Sequence, residues 1–249
     1  QLPGGNFPYV LFDRDKDGSN EIYYSSYNLI YGFYTDGSSL PNFPITIQKS
    51  EDSDYYPQIS KIITVTNNGN LSIALFGYDW TNNGLRVFIG AYLEGINGWE
   101  KNRTFLDLVN NSSGDSLYSV SSHPVSADLN NDGNSEIILS YTTINWDLYS
   151  QNYLDIDAIK SYIMILKGSG DVVSKIGPIR GYMITGDSVV GNLAINNENP
   201  TIVTSLENTW STYSDGYKVI ALDGQGNTVF DKNIDFMDVT TGLTIGDID

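Results

Sequence analysis

The chain alternates short apolar runs with turns rich in Gly, Asn and Asp. Runs such as Tyr162–Leu166 and Tyr217–Leu222 consist mostly of aliphatic and aromatic residues, and each leads within a few residues into a glycine. Apolar runs that meet at a Gly-containing turn are typical of β-hairpins. Four segments have this form: Ile30–Ser38, Arg86–Gly95, Tyr162–Val173 and Tyr217–Phe230. Since no window contains an apolar stripe of helical period with capping residues, the pattern predicts an all-β fold.

An acidic motif recurs just before two of the predicted strands. Phe12–Ile22 reads F-D-R-D-K-D-G-S-N-E-I, and Ala127–Ile137 reads A-D-L-N-N-D-G-N-S-E-I. Weaker copies begin at Thr64 and Asn192, and Gly246–Asp249 has the form of a fifth beginning. The copies begin roughly 50 to 65 residues apart, which suits one four-stranded blade of a β-propeller per copy.

Each period supplies a strand before the acidic loop, a strand after it, and a hairpin pair, which makes a four-stranded antiparallel blade. We therefore expect residues 1–249 to form one propeller region of about four blades and the first strand of a fifth. The predicted blades are residues 7–50, 57–109, 119–178 and 183–235, with a further blade beginning at 240–249. A lone terminal strand leaves open sheet edges, so we expect an incomplete ring that further sequence or a partner chain continues.

Composition excludes several classes of partner and mechanism. The chain has 13 Lys and Arg against 30 Asp and Glu, a net charge of −17, which repels nucleic acid and anionic membrane surfaces. No apolar run is long enough for a membrane span, and mean hydropathy is −0.22. There is no cysteine, and the single histidine, His123, has no recognisable nucleophile motif beside it.

The two strong motifs resemble the calcium-binding loops of FG-GAP/VCBS repeats, the blades of integrin-α-type β-propellers. Alternate residues of such a loop turn oxygens inward, and Ca²⁺ takes six to eight oxygen ligands. The acid stands three residues after the Gly, closer than in an EF-hand, which disfavours an EF-hand helix pair. The predicted ligands are Asp13, Asp15, Asp17, Glu21 and the Ser19 carbonyl in one loop, and Asp128, Asn130, Asp132, Glu136 and the Asn134 carbonyl in the other.

The alternative for each motif is an Asx-rich turn without metal, because Asp, Asn and Gly also favour turns by themselves. Several carboxylates that converge without a cation repel one another, which favours the metal in the two strong copies. The weaker copies have lost their carboxylates, and we expect no metal there. Their corresponding positions are Thr64, Thr66 and Asn68, and Asn192, Ala194 and Asn196.

A set of aromatic residues falls in the loops at the other end of the predicted blades. Flat aromatic faces there suit a carbohydrate or protein ligand, whereas the alternative is that each Trp packs between blades as core. The candidates are Trp80, Trp146 and Trp210 with Tyr149, Tyr153 and Tyr213. Sequons permit N-glycosylation at Asn70, Asn102, Asn110 and Asn111.

The resemblance implies a non-catalytic extracellular or cell-surface module, stabilised by calcium, for adhesion, carbohydrate or protein binding, or envelope or matrix assembly. No catalytic residue is assigned. The alternative is the propeller domain of a secreted, calcium-assisted polysaccharide lyase or glycoside hydrolase, because carboxylate pairs that lie together only in space are not visible in a sequence.

Overall fold

The protein was analysed as a computed structural model, which describes residues 9–67, 70–81, 84–92, 103–106, 108, 114–120, 124–152, 155–184, 186–192, 200–208 and 216–234. These residues form four antiparallel sheets, so the all-β prediction is confirmed. Contacts divide the chain into two compact units, Gln1–Asp107 with Gly168–Asp171, and Leu108–Lys167 with Val172–Asp249.

Two four-stranded sheets lie in the first unit, and in both the order in space follows the order in the chain. The first contains β1 (Tyr9–Phe12), β2 (Glu21–Ser26), β3 (Leu29–Phe33) and β4 (Ile45–Thr46). The second contains β5 (Gln58–Asn67), β6 (Asn70–Thr81), β7 (Gly84–Tyr92) and β8 (Arg103–Leu106).

The second unit repeats this arrangement, except that the first strand of each sheet is interrupted. In each of these sheets the two pieces of the first strand pair with opposite ends of the same second strand. The third sheet contains β9 (Asp115–Val120), β10 (Val125–Ala127), β11 (Glu136–Asn145), β12 (Ile159–Lys167) and β13 (Val172–Arg180). The fourth contains β14 (Tyr182–Ile184), β15 (Val189–Gly191), β16 (Thr201–Asn208), β17 (Tyr217–Leu222) and β18 (Thr228–Ile234).

Each unit has an apolar core shared by its two sheets. In the first unit Phe12 stacks on Tyr23 with ring centroids 4.8 Å apart, and both pack into one cluster with side chains of the second sheet. That cluster also holds Ile30, Leu40, Ile47, Ile59, Ile62, Ile73, Leu75 and Phe88. In the second unit the shared cluster is Leu129, Ile138, Ile163, Ile165, Ile184, Ile202, Leu206, Ile220 and Leu222. Each such side chain stabilises the fold by about 1.5–3 kcal/mol through burial.

The second strand of a sheet is the most deeply buried. All ten residues of β11 are buried, and so are Thr201–Leu206 of β16. Because successive residues of a strand point to opposite faces, continuous burial means that these strands are covered on both faces. Strands of this kind read as nearly unbroken apolar and Ser/Thr runs rather than as an alternation, as Glu136–Asn145 does.

One short helix departs from the strand-only pattern. Helix α1 (Trp146–Gln151) follows β11 directly, and the Asn145 side chain caps it by accepting a hydrogen bond from the Leu148 N–H. None of its residues is buried. A helix without a buried face has no apolar stripe, which explains why hydrophobic periodicity did not reveal it.

A polar cluster links the segment between β4 and β5 to strands β6 and β7. Asp79, on β6, is fully buried, and its Oδ2 accepts hydrogen bonds from Ser50 Oγ and, at 3.1 Å, from Arg86 Nη2. The same Arg86 nitrogen lies 2.8 Å from Asp52 Oδ1, and Ser53 Oγ donates to the Trp80 carbonyl. We call Ser50, Asp52, Asp79 and Arg86 the β6 clasp.

Across the described residues, no helix has the length and apolar character needed to cross a membrane.

Candidate metal centre

The first acidic loop connects β1 to β2, and backbone hydrogen bonds to its own aspartates shape it. The Asp13 carboxylate accepts from the Asp17 N–H at 3.1 Å and from the Gly18 N–H at 2.9 Å. Asp15 Oδ1 accepts from the Asp17 N–H at 3.3 Å, and Asp17 Oδ1 accepts from the Ser19 N–H at 2.7 Å. These are successive Asx turns, so the loop conformation follows directly from the Asp spacing.

Glu21 attaches this loop to the sheet. It is the first residue of β2, pairs with Phe12 across the hairpin, and is only 3% exposed. Its Oε2 accepts a hydrogen bond of 2.8 Å from the Arg14 N–H. A rigid strand thus holds one carboxylate beneath a loop that carries the others.

Carboxylate oxygens of Asp13, Asp15 and Glu21 all lie within 4.8 Å of one another. Three negative charges at this separation repel unless a cation lies among them. Oxygen-only donors from flexible loop carboxylates are the ligands that Ca²⁺ prefers. The residues present therefore fit a calcium ion. Asp17 is outside this trio, and one of its oxygens is engaged with the Ser19 N–H.

The loop between β10 and β11 has the same construction. Asp128 accepts from the N–H groups of Asp132 and Gly133 at 3.0 and 2.8 Å, and Glu136 Oε2 accepts from the Leu129 N–H at 2.9 Å. Asn130 Oδ1 accepts from the Asp132 N–H at 3.0 Å. All of these contacts have counterparts in the first loop.

The backbones also match. Gly18 and Gly133 have φ of 90° and 86°, and Lys16 and Asn131 have φ of 62° and 58°. Glycine adopts this left-handed region without steric cost, which is why each motif carries it directly after the last aspartate. Two segments of one chain therefore fold into the same loop independently.

The second of these loops carries less charge. Asn130 replaces a carboxylate with an amide, and its Nδ2 donates to Asp132 Oδ2 at 3.1 Å. Burial raises the pKa of Glu136, and the negative charges of Asp132 and Asp128 raise it further. The Asn134 N–H lowers the pKa of Asp132. Asn134 itself donates to Asp132 Oδ1 at 2.8 Å.

Of the two weaker motif copies, only the one at Thr64 lies mostly within the described residues. Thr64 and Thr66 lie inside β5, paired with Ile73 and Leu71, so this copy is part of a hairpin ladder and not of an open loop. The physical reason is that this copy has no Asp side chain to accept hydrogen bonds from the backbone N–H groups, whereas its β-branched Thr residues favour a continued strand. Asn68 lies outside the described residues, as do Ala194 and Asn196; Asn192 directly follows β15.

The predicted aromatic residues are in part exposed. Trp80 is 49% and Trp146 is 52% exposed, so neither side chain belongs to the described apolar cores. Tyr149 contacts Trp146 edge to face. Sequence reasoning missed Tyr118, whose ring also contacts that of Trp146. Tyr118 lies at a register shift between β9 and β11, and the sequence gave no signal of it because such a shift depends on how the two strands pair. Tyr153, Trp210 and Tyr213 lie outside the described residues.

Among the sequons, Asn70 begins β6 opposite Asn67. Asn102, Asn110 and Asn111 lie outside the described residues, as does the predicted fifth-blade segment 240–249.

A scan against protein-family models finds no match, and no curated protein matches the chain. The two acidic loops and the exposed aromatic side chains are the features of this chain that point to a function.

Proposed function

We propose that the chain is a calcium-stabilised, non-catalytic β-propeller module of the FG-GAP/VCBS type that binds protein or carbohydrate ligands outside the cell or at its surface. The observation that carries the proposal is the repeated loop. Asp13–Glu21 and Asp128–Glu136 have the same pattern of hydrogen bonds, the same left-handed positions and the same buried glutamate. Turn formation alone needs the Asx bonds, but it does not need a buried carboxylate behind them.

The arrangement of the sheets supports a propeller. The first two sheets are four-stranded meanders in chain order. The third and fourth sheets follow the same order once the two pieces of the interrupted first strand are taken as one, and the two sheets of each unit share one core. Strands β11 and β16 are covered on both faces, as the inner strands of stacked blades are.

The first sheet also has a second apolar face, opposite its shared core. The ring of Tyr24 stacks on Tyr31 at 4.7 Å and on Phe33 at 6.0 Å. On the same face Tyr9 is 68% and Leu11 is 55% exposed. A face of this kind suits cover by another blade, supplied by further sequence or by a partner chain.

Calcium would serve the module by cancelling the repulsion within each loop. An ion that binds only the folded loops adds RT ln(1 + [L]/Kd) to the free energy of unfolding. At the affinities common in extracellular modules, on the order of 10⁻⁴ to 10⁻³ M, it acts as a structural clamp rather than as a signal. The first loop, with the additional carboxylate at Asp15, is expected to bind more tightly.

The experiment is thermal unfolding of the chain in CaCl₂, in MgCl₂ and in a chelator, with calcium binding measured by calorimetry. Calcium should raise the melting temperature and magnesium should raise it less, because Mg²⁺ demands a tighter octahedral site. Glu21→Gln and Glu136→Gln should each remove one binding event. Asp36→Asn is the matched control, since Asp36 also accepts an Asx-turn bond from Ser38 but lies in a turn without the acidic trio. A melting temperature that is the same in calcium and in chelator would refute the proposal.

A further inference from the structure

Three exposed aromatic side chains meet on the surface of the second unit, where β11 continues into α1. Tyr118 is 50% exposed, Trp146 52% and Tyr149 37%. The centroid of the Trp146 ring lies 6.4 Å from that of Tyr118 and 5.9 Å from that of Tyr149. We call these three residues the aromatic platform. Exposed aromatic rings in mutual contact at the surface commonly mark a binding site.

A β-bulge aims Tyr118 at the platform. Leu117 pairs with Thr143 and Ser119 pairs with Thr142, so Tyr118 is the extra residue on β9 and has no partner across the ladder. A bulge of this kind bends the strand and redirects a side chain, and bulges are enriched beside functional sites.

The capped helix aims the other two rings. Asn145 Oδ1 accepts from the Leu148 N–H at 3.1 Å, while Asn145 Nδ2 donates to Asp115 Oδ1 at 3.2 Å. The spacing of Trp146 and Tyr149, three residues apart in a helix, brings their side chains together. The side chain of Asn145 thus ties the helix to β9, the same strand that carries Tyr118.

A partly buried ion pair adds to this support. Lys160 Nζ lies 3.0 Å from Asp115 Oδ2, and the two side chains are 18% and 9% exposed. Because the rings are held in place before a ligand arrives, binding does not have to order them.

We propose that the aromatic platform binds a neutral saccharide, a step that rests on the proposed binding function and assigns its ligand class. The C–H face of a pyranose ring is apolar and flat, so it packs on aromatic rings while its hydroxyl groups reach the rim. The rim is polar: Asp147, Ser150, Gln151 and Asn152 are all exposed.

Charge excludes an acidic saccharide. The chain has a net charge of −17, and Lys160, which lies opposite Thr143 on the strand next to β11, is already paired with Asp115. An anionic sugar would therefore approach a chain of the same sign, and the described cation beside the platform, Lys160, is already engaged by a carboxylate.

Size favours a saccharide over a protein. Aromatic side chains offer about 150–250 Å² each, so three rings that are roughly half exposed present about 300 Å². A specific protein interface needs about 800 Å² on each partner. The platform is therefore large enough for one or two sugar rings and too small for a protein interface.

The test is affinity electrophoresis of the full chain in native gels that contain calcium and one soluble neutral polysaccharide: a mixed-linkage β-glucan, a galactomannan or a xyloglucan. At least one polysaccharide should retard the chain. Trp146→Ala should weaken this retardation at least about tenfold and Tyr118→Ala should weaken it measurably, as expected for central aromatic contacts. Trp146→Phe, which keeps a flat ring, should restore part of it. Tyr55→Ala is the matched control, because Tyr55 is 68% exposed but lies in the first unit.

Retardation by none of the three polysaccharides, or equal retardation of Trp146→Ala and the unmodified chain, would overturn the proposal. So would a chain that binds only oligolysine in a Trp146-dependent way, which would assign the platform to a cationic peptide. Helix α1 buries no residue, so Trp146→Ala is expected to melt at the unmodified temperature. The calcium-dependent melting shift, measured on the same samples, reports on the calcium module alone, so failure of either proposal is distinguishable.

Discussion

Replacement of Arg86 by Met should destabilise the first unit strongly, because it leaves a charge buried in the β6 clasp. The Asp79 side chain is 0% exposed, and Arg86 Nη2, 3.1 Å away, donates to its Oδ2. Ser50 Oγ also donates to this oxygen, but a hydroxyl group carries no charge to balance the carboxylate. Met retains the apolar volume of the Arg stem and removes only the guanidinium.

Removal of one partner from a buried ion pair costs about 3–5 kcal/mol, whereas an exposed pair contributes about 0–1 kcal/mol. The Arg86 side chain is 31% exposed and its second partner, Asp52, is 49% exposed, so the Asp52 contact adds little. We therefore expect a loss at the lower end, about 3 kcal/mol. Asp79→Asn, which removes the buried charge itself, should cost about 1–2 kcal/mol.

The assay is urea unfolding followed by tryptophan fluorescence, for both single variants and the double variant. The double variant should be more stable than the sum of the single losses implies, because the Asn side chain no longer needs a cation. Arg180→Met is the control: Arg180 pairs with Asp157 at the surface, with side chains 52% and 43% exposed, and should lose less than about 1 kcal/mol. An Arg86→Met variant as stable as Arg180→Met would refute the reasoning.

Three further predictions concern the loops and the sheets. Asp132→Ala should reduce the calcium-dependent rise in melting temperature more than Asn196→Ala, because Asp132 contributes a charged carboxylate to an acidic motif, whereas Asn196 is an uncharged amide in a motif without carboxylates. Equal shifts would contradict the division into metal and metal-free motifs. Asp223→Ala should cost about 1 kcal/mol at neutral pH, since its carboxylate accepts from Gln225 N–H and Asn227 N–H. Hydrogen bonding from the Asn227 side chain lowers the pKa of Asp223 below 3.8. The stability that Asp223 contributes is therefore present above that pH and is lost as the pH falls through the lowered pKa. When the free energy of unfolding is measured against pH, the variant and the unmodified chain should converge in acid, and a constant difference would contradict the assignment. Gly77→Ala should destabilise the second sheet by about 1–3 kcal/mol in urea unfolding, because a Cβ there would clash with the Gln58 carbonyl oxygen and lie 2.7 Å from Phe88 Cζ; an unchanged midpoint would mean that the strands separate without strain.

The sequence by itself determined the features that depend on near neighbours. The acidic loops form from bonds between residues no more than seven positions apart, so the Asp and Gly spacing was sufficient to place Asp13–Glu21 and Asp128–Glu136. The all-β class likewise followed from local turn chemistry and β-branched runs. At Thr64, where the carboxylates are missing, the spacing did not show how far the strand extends into the motif, because polar residues alone do not distinguish a loop from the end of a hairpin strand.

Only the tertiary structure decided the features that join distant residues. Burial of Glu21 requires the sheet beneath it, and the β6 clasp joins Ser50 to Asp79 across a connection. Tyr118 faces Trp146 because a register shift between two strands leaves it unpaired. Such contacts depend on which strands pair and in which register, and pairing is selected by the burial of whole faces rather than by any short segment.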